Sequence, residues 1–248
     1  GSQTEEDYKA LLKVLSRSNF DRLGFEKQAG ESDEDEMVRQ LIVGNMIKAD
    51  DETAKAQASQ IFDKYRDNLE KLPAAIRLQV LVNQIKHHES KELTKLYLDL
   101  YVASNDGSFK NALSTALSYT KNKETLDELL ATWKDKFTVK PQDLSAWYAR
   151  FLSHDFTQEA VWTWARENWD WIKAALGGDM SFDSFVISPA VVFKTEKRLA
   201  EYKAFFEPQL DDMAISRNIS MGIKEIAARV ELVKREKEAV EKAIRAAI

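Results

Sequence analysis

Cysteine is absent from this 248-residue chain, so no disulfide and no thiolate chemistry is available to it. A reducing compartment is therefore permitted. Only four prolines and eight glycines punctuate the sequence, and most of them fall between periodic segments. No apolar run approaches the length of a membrane span, and no signal peptide opens the chain. A basic excess is missing too: the formal net charge is −5, which excludes the electrostatic footprint of a nucleic-acid binder. The nucleophile motifs are equally absent, with no Gly-x-Ser-x-Gly and no glycine-rich phosphate loop.

What is present is a globular composition, 44% hydrophobic and 31% charged, enough to bury a core and too apolar for a disordered chain. Gly1-Ser2 reads as an expression scar, leaving residues 3–248 as one all-α domain. Helical period dominates. Thr4-x-x-Asp7 opens a first helix with Tyr8, Leu11, Leu12 and Leu15 on one face, and Ser32-x-x-Asp35 a second, with Met37, Leu41, Ile42 and 45–47 apolar. Further helices are expected near 52–68, from Pro73 to about 86, then 90–104, 108–120, 123–136, 141–153, 156–176 and 195–206. Asn105-Asp106-Gly107 and Gly177-Gly178 mark stops. The last helix carries Ile219, Ile223, Ile226, Val230, Val233, Val240 and Ile244 in one stripe, which must dock on a partner surface to be stable. The only strand candidate, "SFVISPAVVF" at 184–193, is broken by Pro189. Helix after helix with short connections predicts an α-solenoid of antiparallel pairs, a curved HEAT- or armadillo-like superhelix ending in a long C-terminal helix.

Three candidate sites need weighing. "HHESKE" (87–92) approaches the zinc-peptidase pattern His-Glu-x-x-His, in which two imidazoles one turn apart hold the metal. Here His88-Glu89 is followed by Glu92 where a second histidine is needed, and His87 points about 100° away on a helix. His88 and Glu92, one turn apart, supply two ligands, and the third is missing, so a solvated helix end is the better reading. His154, followed by Asp155, is placed at a helix–helix corner. Asn218-Ile219-Ser220 fits a glycosylation acceptor but sits in a helical stretch and reads as chance. The third candidate is "AVWTWARENWDWIKAAL" (160–176), with Trp162 and Trp169 on one side of a helix and Trp164 and Trp171 on the other. A stacking platform is the functional alternative, but no basic patch interleaves with the rings, and core packing is favoured.

Around these tryptophans the sequence resembles a known family. Gln142-Asp143 is followed after twenty-four residues by Asn168-Trp169, with Trp162 shortly before. This is similar to the endoplasmic-reticulum-aminopeptidase-like C-terminal domain of the zinc aminopeptidase N family. "DRLGFEKQAGESDEDEMVRQLIVGNMI" (21–47), "VFKTEKRLAEYKAFFEPQL" (192–210) and "RNISMGIKEIAARVELV" (217–233) extend the resemblance over nearly the whole chain. Their wording is most like the enzymes of lactic-acid bacteria and streptococci. The resemblance implies a non-catalytic cap on an upstream catalytic domain of the same polypeptide. That domain carries the zinc, the His-Glu-x-x-His and the motif that binds the substrate's free amine; neither motif occurs here. It further implies a peptide chamber, gating by opening and closing, peptide substrates and a cytoplasmic enzyme. No catalytic or metal residue carries over; Gln142, Asp143, Trp162, Asn168 and Trp169 carry over as structural positions. A stand-alone helical-repeat scaffold for a protein or peptide is the rival reading, and an enzyme built on His88, Glu89 and Glu92 a third.

Overall fold

The computed structural model describes residues 2–178 and 180–248; Gly1, half of the expected scar, lies outside them. Among the described residues there is no strand, and no helix is long and apolar enough to cross a membrane. The chain divides into two compact units. One comprises Gly1–Leu117 with Glu238–Ile248, the other Ser118–Lys237.

The first unit contains α1 (Gln3–Leu23), α2 (Asp33–Lys48), α3 (Glu52–Lys64), α4 (Ala74–His88), α5 (Lys91–Ala103) and α6 (Gly107–Leu117). Helices α2, α4 and α6 pack in succession; α1 packs against α2, α3 against both α4 and α2, and α5 against α6. That is the neighbour pattern of stacked helix pairs. The caps are written in the sequence. Ser32 and Asp35 form a reciprocal capping box at α2, with both backbone-to-side-chain bonds at 3.2 Å, and Ser90 caps α5 through Leu93 N at 3.1 Å.

The expected face of α1 is only partly the buried one. Tyr8 and Leu15 are exposed, and the helix turns Asp7, Leu12, Ser16, Phe20 and Leu23 inward. The two polar groups among these are satisfied: Gln3 Nε2 donates to Asp7 at 2.7 Å and Asn45 Nδ2 to Ser16 at 3.2 Å. Likewise Met37 and Leu41 of α2 face out, while Ile42, Val43, Met46 and Ile47 are buried. Helix α3 stops at Lys64, short of the expected 68, and a single 3-10 turn (Leu69–Lys71) bridges to α4.

Charge also holds this unit together. Asp50, the one described non-glycine residue with positive φ (+53°), receives Lys9 Nζ at 3.1 Å, Lys86 Nζ at 2.7 Å and His87 Nε2 at 3.3 Å. Partial burial acts to raise its carboxyl pKa, but these bonds outweigh burial and hold it well below the usual carboxylate range. Arg39, almost fully buried, bonds Leu23 O at 3.3 Å and pairs with Glu31. Arg77 donates to Leu72 O, Glu70 O and Asp106.

The second unit contains α7 (Lys123–Thr132), α8 (Pro141–Leu152), α9 (Asp155–Glu167), α10 (Trp169–Leu176), α11 (Ser184–Val192) and α12 (Glu196–Phe206). Most of α13 (Ser216–Ala246) also belongs to it, and the residues from Glu238 on belong to the first unit. Of the stretch 184–193, Ser184–Val192 is helical in spite of Pro189, and Phe193 is extended. Its buried residues Phe185, Val186, Pro189 and Ala190 keep helical spacing, and α11 packs on α8. The single helix expected over 156–176 is two, broken at Asn168. Of the α13 stripe, Ile219, Ile226 and Val230 are buried with Gly222, whereas Val233 and Val240 are exposed. Gly222 sits where Tyr202 approaches: an added Cβ would fall 2.3 Å from its hydroxyl oxygen.

Aromatic side chains fill this core. Trp133 meets Trp147 edge-on at 6.4 Å and Phe151 at 5.5 Å, and Trp147 stacks on Phe151. Tyr148 stacks on Phe185 at 4.6 Å, and its complete burial pushes the phenol pKa up.

Candidate functional site

The "HHESKE" stretch spans a break between helices. His87 and His88 end α4, Glu89 terminates it in an extended conformation, and Ser90 caps α5, whose first turn holds Glu92. His88 and Glu92 therefore lie on different helices, which corrects the expectation that they sit one turn apart. His87 Nε2 faces Asp50, and His88 Nε2 lies 3.3 Å from Ser59 Oγ. The Glu92 carboxyl is held low by its own backbone N–H and by the Ser90 hydroxyl, both parts of the cap. Among the described residues no three His, Asp or Glu side chains are placed to hold a metal ion. Zinc does not fit this stretch, because His87 faces Asp50, His88 faces Ser59 and Glu92 lies on the next helix. His154 does occupy the corner between α8 and α9, with Nε2 3.1 Å from Ser118 Oγ and its ring stacked on Phe156.

The positions carried by the resemblance fall into two groups. Pro141 takes the first helical position of α8, Gln142 is exposed beside it, and Asp143 lies in the first turn, where a carboxylate suits the helix dipole. The other three come together. Trp162, fully buried, meets Phe193, Phe205 and Phe206; Trp169 meets the same Phe205 and Phe206 and donates Nε1–H to Gln209 at 2.6 Å. Between them Asn168 ends α9, its side-chain Nδ2 donating to Trp164 O at 2.7 Å. Trp164 O also accepts the Asn168 backbone N–H at 3.0 Å, so the side chain adds a second donor to that carbonyl where α9 gives way to α10. Trp164 and Trp171, the opposite pair, are half-buried and meet each other at 6.2 Å.

Trp164 opens onto a groove whose lining combines apolar and charged groups. It is an open groove of about 700 Å³ between α7 and α9, within the usual range for ligand sites. Leu126 and Leu130 of α7 and Phe156, Ala160 and Trp164 of α9 form its apolar lining. The two helices run parallel. Lys121, just before α7, lies over the ring of Phe156 in the first turn of α9, Nζ 5.4 Å from its centroid; Trp133, just after α7, meets Trp164 near the end of α9 at 4.9 Å. Both N-termini, with Lys121 and Lys123, are therefore at one end, and both C-termini, with Glu167, at the other. The carboxylates along the walls are engaged: Asp127 by Lys123 at 2.7 Å and Glu159 by Arg198 at 2.8 Å. Sequence reasoning singled out Trp164 but not Phe156, Leu126 or Leu130; Phe156 is 44% exposed, which only the structure shows. In unit one, a smaller groove around Gly24, Gln57 and Lys64 is mainly polar.

Comparison with known proteins completes the picture. The chain is 54% identical over 244 residues to aminopeptidase N of Lactococcus lactis subsp. lactis, which covers 98% of this chain and 29% of that protein. Against aminopeptidase N of Lactobacillus helveticus the identity is 38% over 247 residues, 100% of this chain and again 29% of the relative. Mouse glutamyl aminopeptidase is 25% identical over 171 residues, 68% of this chain and 18% of that protein. The chain thus spans under a third of the length of the curated relatives it matches. The sequence profile of the ERAP1-like C-terminal domain matches residues 1–228, and the chain belongs to that family.

Proposed function

We propose that this chain is the non-catalytic C-terminal domain of a zinc aminopeptidase, both compact units together forming a cap on the catalytic domain of the same polypeptide. The observation that carries this is the family match over 228 residues, joined to relatives that are aminopeptidases more than three times its length. In this reading the cap encloses a chamber, restricts entry by peptide size, and alternates between open and closed positions. Closure excludes water and confines a peptide for chemistry done elsewhere. The zinc is held by residues outside this chain, and the substrates are peptides, from which the N-terminal residue is removed. The lack of cysteine suits a cytoplasmic enzyme.

The test compares the full-length enzyme with a version ending before this region. Zinc content and hydrolysis of an aminoacyl-arylamide and of a set of longer peptides are measured for each. Retained zinc with altered discrimination by peptide length is the expected result. Unchanged length discrimination, or hydrolysis by the 248-residue chain alone at a rate comparable with the full enzyme, would overturn the reading.

A further inference from the structure

We infer that the outward face of α1 and α2 is the seat of a further antiparallel helix pair, supplied by the parent polypeptide ahead of Gln3. The face is apolar where exposed helices are ordinarily polar: Leu15 is 66% exposed, Leu41 63%, Met37 74% and Val14 57%. These side chains lie together. Lys48, at the end of α2, has Nζ 5.3 Å from the ring of Tyr8 near the start of α1. Arg22 at the end of α1 pairs with Asp35 in the first turn of α2 at 2.8 Å, so the two helices run antiparallel. Leu15 stands seven residues after Tyr8 and Leu41 seven before Lys48, two turns each and in the same spatial direction, which sets the two leucines side by side. Met37 continues the face one turn further along α2, and Val14 adjoins Leu15. From Lys48 to Met37 is eleven residues, about 16 Å at ~1.5 Å per residue.

The rest of the unit says what kind of element covers such a face. The exposed residues of α3 are Glu52, Thr53, Ala56, Gln60, Asp63 and Lys64, so a helix of this unit that faces water is written polar. The succession α6, α4, α2 closes with α1, and the last pair of a helical stack needs a polar outer surface unless another pair follows. The same side of α1 is already an interface at its start: Thr4, three turns before Leu15, donates to Glu241 at 2.9 Å, and the open stripe continues that contact. Helices of the size found here, eleven residues in α6 and sixteen in α2, are long enough to cover 16 Å. The polypeptide to supply them is at hand, because this chain makes up 29% of the Lactococcus relative. Residues joined ahead of Gln3 enter at the first turn of α1, beside this face. The inference rests on the proposed function only in taking the chain as part of a longer polypeptide.

The chain has no cysteine, so Leu15→Cys, Leu41→Cys and, on the polar face of α3, Gln60→Cys each give it a single thiol. All three positions are exposed, and the fold is kept. Alkylation by N-ethylmaleimide is followed by peptide mass spectrometry in three proteins: the 248-residue chain, the full-length enzyme, and the chain extended at its start by about forty parent residues, enough for two such helices and their turns. In the 248-residue chain the three thiols should react alike at every protein concentration. In the extended chain, positions 15 and 41 should react roughly tenfold more slowly, with no further fall in the full-length enzyme and no change at position 60. Undiminished reaction at 15 and 41 in the full-length enzyme would overturn the inference. So would slowing found only there, which assigns the face to the catalytic domain, or slowing in the 248-residue chain as its concentration rises, which assigns it to a second copy. Leu15→Lys combined with Leu41→Lys covers the case of an extended chain that does not fold. The pair should leave the thermal midpoint of the 248-residue chain unchanged and lower that of the full-length enzyme; an unchanged full-length midpoint sinks the inference. If 15 and 41 are protected while truncation leaves length discrimination unaltered, the stack stands and the cap does not, and the reverse pair of results keeps the cap and removes the stack.

Discussion

The two units solve the same packing problem with different side chains. All six tryptophans lie between residues 133 and 171, inside the second unit, and the first has none. The second is a mesh of edge-on and stacked rings in which Trp162 touches three phenylalanines. The first buries rings as well, Phe20, Phe25, Phe62, Tyr97 and Phe109, but sets them among aliphatics such as Val43, Ala54, Ala58, Val80 and Leu113, and it is fastened by charged hubs at Arg39, Asp50 and Arg77. Ring contacts depend on volume and shape, whereas the hubs depend on protonation. The same kind of perturbation should therefore affect the two halves differently.

The largest effect is expected from Trp162→Ala, which removes a side chain of zero exposure and leaves a cavity the surrounding rings cannot close. A loss of about 3–5 kcal/mol should appear in denaturant unfolding, with hydrogen exchange accelerated first in the second unit. An unfolding curve within 1 kcal/mol of the parent's (roughly the scale of a surface change) would show that the ring mesh is not the core's main support.

Gly222→Ala comes next. Its methyl group would fall 2.3 Å from the Tyr202 hydroxyl oxygen and 3.1 Å from Ala190 Cβ, and displacing the ring endangers the Tyr202 O–H bond to Val186 O at 3.1 Å. Overpacking should cost about 1–3 kcal/mol, exceeding the ~1 kcal/mol of helix propensity gained.

Asp50→Asn tests the first unit's charge. Asparagine tolerates the positive φ, so the substitution isolates the carboxylate from the backbone. A loss of about 1–2 kcal/mol is expected at neutral pH, between the ranges for surface and buried pairs. Because the folded pKa is depressed, the charge contributes fully above the unfolded value near ~3.9 and is lost as pH falls through the folded value. The difference between parent and variant in urea should thus shrink on acidification below pH ~4; a difference that grows there would refute the assignment.

The smallest effect has the opposite sign. Gly44 of α2 faces only the flexible Gln79 side chain, at 3.6 Å, so Gly44→Ala should stabilise by roughly 0.5–1 kcal/mol. The same substitution thus reads as gain in one unit and loss in the other.

The sequence made helices legible where local chemistry decides them: the Ser32–Asp35 box, the Pro141 start and the 196–206 helix all stand where periodicity and caps place them. It misled where a polar side chain did a structural task that an apolar pattern cannot encode. Asp7 and Ser16 point inward because Gln3 and Asn45 meet them, which rotates α1 away from its Tyr8–Leu15 stripe. At Asn168 the backbone leaves the helical region (φ −111°, ψ 16°), although the aromatic spacing runs on through it. The groove was half visible. Trp164 is conspicuous in any reading, but its partners come from α7, about thirty residues away, and only tertiary structure aligns two helix dipoles side by side.

The first unit is discontinuous, completed by residues 238–248, and this bears on how the molecule is made. Thr4 Oγ1 donates to Glu241 at 2.9 Å and Asp7 pairs with Arg245 at 3.3 Å, bridging 237 and 238 positions of sequence. On a ribosome, the opening helix emerges long before the turns that clasp it. The first unit must wait through synthesis of the whole second unit before it can close.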